Sequence, residues 1–222
     1  MNSQIWAQIG VGIGETFYMV ILSTFFAYLL GIPIGIILNI TDVNGIKPNR
    51  IVNLVVGLIT NVIRSVPFLI LLVAILPFTR FIVGTTIGST ATVVPLVVAA
   101  APFVARMVES SLKEVDAGVI EAAKAMGSSD WQIITKVLLA EARPSLLVGG
   151  IIAFVTILGY SAMAGFVGGG GLGAIAVNYG YYRYKTDVML VTVAILVLIV
   201  QVYQEGGIAL VNKHDKRIRL HK

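Results

Sequence analysis

The chain of 222 residues contains no cysteine. That excludes a disulfide framework, thiol catalysis and cysteine-ligated zinc. Charge is scarce as well: Asp, Glu, Lys and Arg make up 12% of the residues, against about a quarter in a soluble domain. Only two histidines are present, His214 and His221, both in a basic tail, so an internal histidine metal site or histidine base is excluded. The acidic residues nearest the apolar stretches, Glu15, Glu109, Asp187 and Glu205, fall at their boundaries. A proton-coupled carrier usually needs an acid or histidine at membrane depth, and general acid–base catalysis needs positioned proton donors and acceptors. Neither is expected here. No G-x-x-x-x-G-K-[ST] occurs, so the chain does not cradle nucleotide phosphates in that way.

What is abundant is apolar: 57% of the residues are hydrophobic and the mean hydropathy is +0.93. A membrane helix needs about 20 mainly apolar residues, and five segments supply them: 16–40, 51–78, 90–108, 145–167 and 187–205. Backbone groups in lipid must be satisfied within their own segment, so the spans are helices. Gly31, Pro33 and Gly35 predict a kink or close packing in the first. Asn61, Arg64 and Pro67 interrupt the second, which reads as an approach helix followed by a broken span. The first fifteen residues read as a short polar lead-in rather than a signal peptide, because a positive n-region and a small-residue cleavage site are missing.

Orientation follows from Lys and Arg placement. Twelve of the sixteen fall in the loop 41–50, the stretch 105–145 and the tail 206–222. Arg80, Arg183 and Lys185 fall on the other side, and Arg64 lies within a span. The expectation is an all-α polytopic protein with its N-terminus outside and its C-terminus inside. Its parts are an external segment 1–15, a transmembrane domain 16–206 with a cytoplasmic loop 109–145, and a basic tail 207–222. The net charge of +5 then reads as solvated segment ends, not a nucleic-acid patch.

One cytoplasmic stretch is polar and helix-forming: EAAKAMGSSDWQIITKVLL, residues 121–139. In 116–126, Val119, Ala122, Ala123 and Met126 fall to one side and Glu121 and Lys124 to another. Asp116 is placed to cap that helix and Gly127 to end it. Ser129 stands three residues before Gln132, the spacing of a capping box that opens a second helix. That helix has an apolar side of Ile133, Ile134, Val137 and Leu138. The pattern predicts two short helices meeting at a glycine, a knob on the cytoplasmic face. A surface loop resting on lipid headgroups has the same periodicity.

EAAKAMG, nine residues, then VLL resembles the EAA loop of ABC-importer permeases, whose signature is EAA, three residues, Gly, nine residues, Ile-x-Leu-Pro. Glu121, Ala122, Ala123, Gly127, Val137 and Leu139 match it. Ala140 stands at the proline position, with Pro144 further on to supply a stop. IRSVPFLILL, PFTRFIVGT, APFVARMVE and GYSAMAGFVGGGGLG extend the resemblance over nearly the whole chain, to permease subunits of methionine importers. It implies a type I importer transmembrane fold in five helices, in the inner membrane of a prokaryote. The implied assembly contains a second copy of the chain, an ATPase dimer that binds ATP and Mg, and an external substrate-binding protein. It also implies that the matched loop residues couple to the ATPase, and that the chain itself is not an enzyme. A permease for another amino acid or small metabolite remains open, and less favoured are a self-sufficient secondary transporter and an intramembrane enzyme. Five spans are few to enclose a pathway, which favours a symmetric pair.

Gly168, Gly170 and Gly173 fit G-x-G-x-x-G, but they follow a membrane helix rather than a strand and read as a flexible, closely packed outer loop. Gly159, Ser161, Ala162, Ala164 and Gly165 allow close backbone approach, suiting a dimer seam or a narrow lining. Tyr160, Ser161 and Met163 are the candidates for the translocation path. Arg64, the lone charge within a span, reads as an ion-paired or interfacial group rather than a substrate ligand. YGYYRY, 179–184, reads as an interfacial aromatic belt.

Overall fold

The computed structural model describes residues 3–214, the side chain of His214 excepted. Every regular element among them is helical. Four helices are long and apolar enough to cross a bilayer, and a fifth crossing is completed if a sharply bent pair is one span. Lys216, Arg217, Arg219, Lys222 and His221 of the basic tail lie outside the described residues.

The first helix, α1 (Ser3–Ile40), is about 57 Å long at 1.5 Å per residue, well beyond the ~30 Å of bilayer hydrocarbon. It begins well before residue 16, where the sequence reading starts the span. The reason is local: Ile5 and Ile9 bury against Leu172 and Val188, so the segment that reads as polar has an apolar side at helical spacing. Glu15 is therefore inside a helix and not at its boundary.

α2 (Arg50–Ser65) starts at Asn49, whose side chain accepts a hydrogen bond from Val52 N–H. α3 (Phe68–Ala74) follows at a bend of 102°, and α4 (Leu76–Val83) continues outward. Pro67 at the break lacks an N–H and disfavours α geometry at Val66. The expected approach helix and interrupted span are both present.

α5 (Ser89–Lys113) is the central helix, buried on most of its circumference. Its seam with α1 is made by residues four apart on α1: Ser23, Ala27, Gly31 and Gly35 are all buried. A Cβ at Gly31 would lie 2.6 Å from Val104 Cγ1, and one at Gly35 2.6 Å from Ala105 O. The sequence expectation of close packing is met, while the helix runs on through Pro33. Without a hydrophobic drive between lipid-solvated helices, such backbone approach is what dispersion contacts require.

Beyond α5 come α6 (Ala117–Ala125), α7 (Asp130–Gln132), a π turn (Ile133–Leu138) and α8 (Leu139–Glu141). α9 (Arg143–Ala164) leads through a 3-10 turn (Gly165–Val167) to α10 (Gly171–Ile175). A second π turn (Ala176–Tyr181) precedes α11 (Thr186–His214), which returns antiparallel to α9, with Tyr203 stacked on Phe154 at 3.6 Å. The first eight residues of the expected tail, 207–214, continue this helix. Pro144 does not end α8: it lies in the first turn of α9, where its missing N–H leaves no intrahelical bond unmade.

Candidate functional site

The helix–glycine–helix loop assembles from short-range signals. Asp116 accepts a hydrogen bond from Gly118 N–H at 2.6 Å, relieving one orphan donor at the start of α6. At the other end, Ser128 N–H donates to Ala123 O at 3.1 Å and Gly127 N–H to Lys124 O at 2.9 Å. Gly127 has φ +78°, so this is a Schellman stop of the kind glycine favours. The capping box forms: Ser129 N–H donates to Gln132 Oε1 at 2.9 Å and Gln132 N–H to Ser129 Oγ at 3.4 Å. A nine-residue helix is marginal alone. α6 is anchored by Ala123, which joins Ile133, Ile134 and Leu138 in the buried core.

The structure divides the apolar residues of α6 differently from the sequence pattern. Ala123 turns inward, while Val119, Ala122 and Met126 stay exposed beside Glu121 and Lys124. Met126 is 79% exposed and Trp131, across the glycine, 72%. Val137 and Leu139 are half-buried, so they support the loop from beneath rather than extend its outer surface. Met126 and Trp131 thus add exposed apolar area to an otherwise polar knob.

α9 carries the second candidate. Ile152, Gly159 and Met163, with Phe166 of the 3-10 turn that follows, form an exposed stripe, Met163 being 47% exposed. Thr156 lies on the same stripe and spends its hydroxyl on Ile152 O at 2.8 Å. Tyr160 is half-buried and stacks on Phe68, just past the bend, at 4.6 Å. Ser161 is turned into the protein and donates to Leu158 O at 2.8 Å. The small residues expected to form a seam or lining are mostly used inside the chain: a Cβ at Gly173 would lie 2.4 Å from Ala162 O, and one at Gly165 2.5 Å from Gly173 C. Of that set only Gly159 is exposed.

The outer glycine segment is packed and clamped. Glu15 Oε2 accepts from Gly171 N–H at 2.7 Å and Thr16 Oγ1 accepts from Leu172 N–H at 2.9 Å. In the neighbouring turn, Tyr179 underlies the Arg183 guanidinium at 4.6 Å, while Tyr181, Tyr182 and Tyr184 are exposed, as an interfacial belt would be.

Arg64 sits exposed in the last turn of α2 beside the bend, where the helix dipole favours a cation. The deeper charges were not legible as such in sequence. Glu109 does not mark the end of a span; it is 7% exposed within α5. It accepts from Arg106 Nη1 at 2.7 Å and from Lys113 Nζ at 2.9 Å. Lys113 also pairs with Asp42 at 2.7 Å, and this hydrogen bond holds the Asp42 carboxyl below its usual range. The i, i+3 and i, i+4 spacing of 106, 109 and 113 is the one signal that could have shown the cluster. Among the described residues no group of acids and histidines could hold a metal.

The family described as binding-protein-dependent transport system inner membrane component matches residues 31–212. The probable D-methionine transport system permease protein MetI of Vibrio cholerae serotype O1 is 51% identical over 203 residues, covering 91% of this chain and 90% of that protein. The corresponding D-methionine permease protein of Escherichia coli K12 is 49% identical over 69% of this chain and 71% of its own. A chain in the inward-facing MetNI methionine ABC transporter matches with a TM-score of 0.95 at 44% identity, covering 97% of this chain and all of that one. An amino acid ABC transporter shares the fold, with a TM-score of 0.78 at 20% identity over 95% of each chain.

Proposed function

The chain belongs to the binding-protein-dependent transport system inner membrane components, and from that premise we propose how its two candidate surfaces serve methionine import. It is the permease subunit of a methionine ABC importer, non-catalytic and multi-pass in a bacterial inner membrane. A partner ATPase binds the ATP.

The finer reading is this. The knob around Gly127 is the handle seized by the ATPase, with Glu121 and Lys124 setting its polar edge and Met126 and Trp131 supplying apolar area. Burying a large apolar side chain is worth about 1.5–3 kcal/mol, so these two side chains alone can anchor a docking contact. The exposed stripe of α9 faces the conduit formed with a second copy, and an external binding protein delivers substrate to the outer end. Along that stripe Gly159, Met163 and Phe166 are small or apolar, which suits passage rather than retention. Selection then rests largely with the binding protein, and both isomers of methionine fit a conduit lined this way.

The observation that carries the reading is the conjunction of a fully capped helix–glycine–helix knob with an exposed apolar surface. Co-purification with the ATPase and uptake of radiolabelled methionine in proteoliposomes test it. Met163→Trp is expected to abolish uptake while leaving the complex intact. Unchanged uptake would place the conduit elsewhere, and failure of the unaltered chain to hold the ATPase would overturn the docking role.

A further inference from the structure

Three helices meet in one polar seam near the cytoplasmic end. On α5, Arg106, Glu109 and Lys113 are stacked on successive turns, and Glu109 takes a hydrogen bond from each cation. From that column two arms cross to other elements. Lys113 Nζ reaches Asp42 Oδ2, in the turn after α1, at 2.7 Å. Arg106 Nη2 reaches α2, donating to Gly57 O at 3.1 Å and Asn61 Oδ1 at 2.9 Å. A Cβ at Gly57 would lie 3.2 Å from that Nη2, so the glycine keeps its carbonyl open to the guanidinium. Asn53 adds a second tie, donating from Nδ2 to Leu38 O at 2.8 Å and Thr41 Oγ1 at 3.2 Å.

We infer that the column Asp42–Lys113–Glu109–Arg106, ending on Asn61, is a coupling strut that transmits movement of the docking helix to the bent α2. It rests on the docking role proposed for α6, and its members are positioning residues that never touch the cargo. Four lines support it. Only residues 114–116 separate the end of α5 from α6, so displacement of α6 has little slack to absorb it before α5 moves. Asp42 and Lys113 line the same cytoplasmic cleft, about 440 Å³, as Ala117, Ile120 and Lys124 of the docking segment, so the strut begins beside the handle. α2 is the helix whose far end breaks by 102°, and Phe68 just past that break stacks on Tyr160 of α9. The strut therefore runs from handle to conduit wall.

The fourth line is energetic. A buried ion pair is seldom more stabilising than well-packed apolar residues, and its best-attested use is to specify one geometry. Glu109 is nearly inaccessible, so the column fixes how α5, α2 and the turn after α1 sit against one another.

The test uses the full complex with its ATPase and external binding protein in proteoliposomes, reading assembly, ATP hydrolysis and methionine uptake together. Glu109→Gln is expected to leave assembly and hydrolysis near their original levels while uptake per ATP falls about tenfold, within the usual range of coupling between sites. Lys113→Arg, which keeps the charge and the reach, is expected to retain coupling. Asn61→Ala removes one of the two α2 acceptors of Arg106, leaving Gly57 O, and is expected to lower uptake per ATP roughly two- to fivefold, the scale of one hydrogen bond. Unchanged uptake per ATP in both Glu109→Gln and Asn61→Ala would overturn the strut. So would loss of uptake in proportion to loss of assembled complex, which marks a purely structural role. If the unaltered chain did not bind the ATPase, the docking role would fail first, so the two failures are distinguishable.

Discussion

Two of the glycine breaks among the described residues differ in what secures them. Around Gly127 the break is held by neighbours in sequence: a Schellman stop, then a capping box, all within residues 116–132. Around Gly165–Gly173 a local stop is present too, Gly169 N–H donating to Ala164 O at 2.9 Å, but residues far away add a clamp, with Glu15 and Thr16 of α1 gripping the start of α10 from 156 positions distant. The first break displays apolar side chains; the second buries Gly165 and Gly173 against backbone. A break stabilised locally can offer its surface to a partner, because the fold does not need that surface. A break stabilised by tertiary contacts is part of the fold.

Substitutions at the two breaks separate their roles. The largest expected effect is Gly173→Leu, because the added side chain would start 2.4 Å from Ala162 O, among backbone atoms that have little room to move. Extra methylenes in a packed core cost about 1–3 kcal/mol, and a whole side chain set against backbone exceeds that range, so folded protein recovered in detergent should fall sharply. Recovery and melting equal to the original would show that the outer break is not tightly packed.

Next is Trp131→Ala at the docking break. Truncating an exposed aromatic anchor leaves the isolated permease almost unaffected but weakens ATPase association, by about 2–4 kcal/mol if it is a hot spot. Titration of the purified ATPase in nanodiscs measures this. A fall in thermal stability without a fall in affinity would reverse the roles assigned to the two breaks.

The smallest is Glu15→Ala, which leaves Gly171 N–H without its carboxylate. About 1–2 kcal/mol of stability should be lost, and Glu15→Gln should recover part of it because an amide oxygen can still accept. Melting in detergent reads both, and equal loss in the two variants would mean that charge, not hydrogen bonding, holds the clamp.

The same contrast explains what could be read from the chain alone. Asp116, Gly127, Ser129 and Gln132 announce the docking loop because their partners lie within five residues. Pro67 announces the break after α2 for the same reason. Glu15 looks like a boundary residue because its partner is on the opposite end of the sequence, and the apolar face of residues 3–15 is recognisable only against Leu172 and Val188. Ser161, Ala162 and Gly165 look like material for a seam between copies, yet α10 folds back on Ala162 and Gly165, and Ser161 is simply buried. The π turn at Ile133–Leu138 has no local marker, since it reflects how Ile133, Ile134 and Leu138 settle into the core together. Arg106 and Glu109 sit close enough to the polar end of α5 to pass for loop charges, and only the folded chain shows Glu109 buried and Arg106 bonded to α2.

The central claim is that the glycine break at 127 serves coupling and not folding of the membrane core. Gly127→Val tests it most directly, since a β-branched residue held at φ +78° is strained by about 1–3 kcal/mol and no neighbour lies within 4 Å to add a clash. In proteoliposomes containing the ATPase and the binding protein, the permease is expected to stay folded with a melting temperature lowered by several degrees at most, while ATPase binding and methionine uptake are both severely reduced. Full uptake, or a permease that no longer folds, would contradict it.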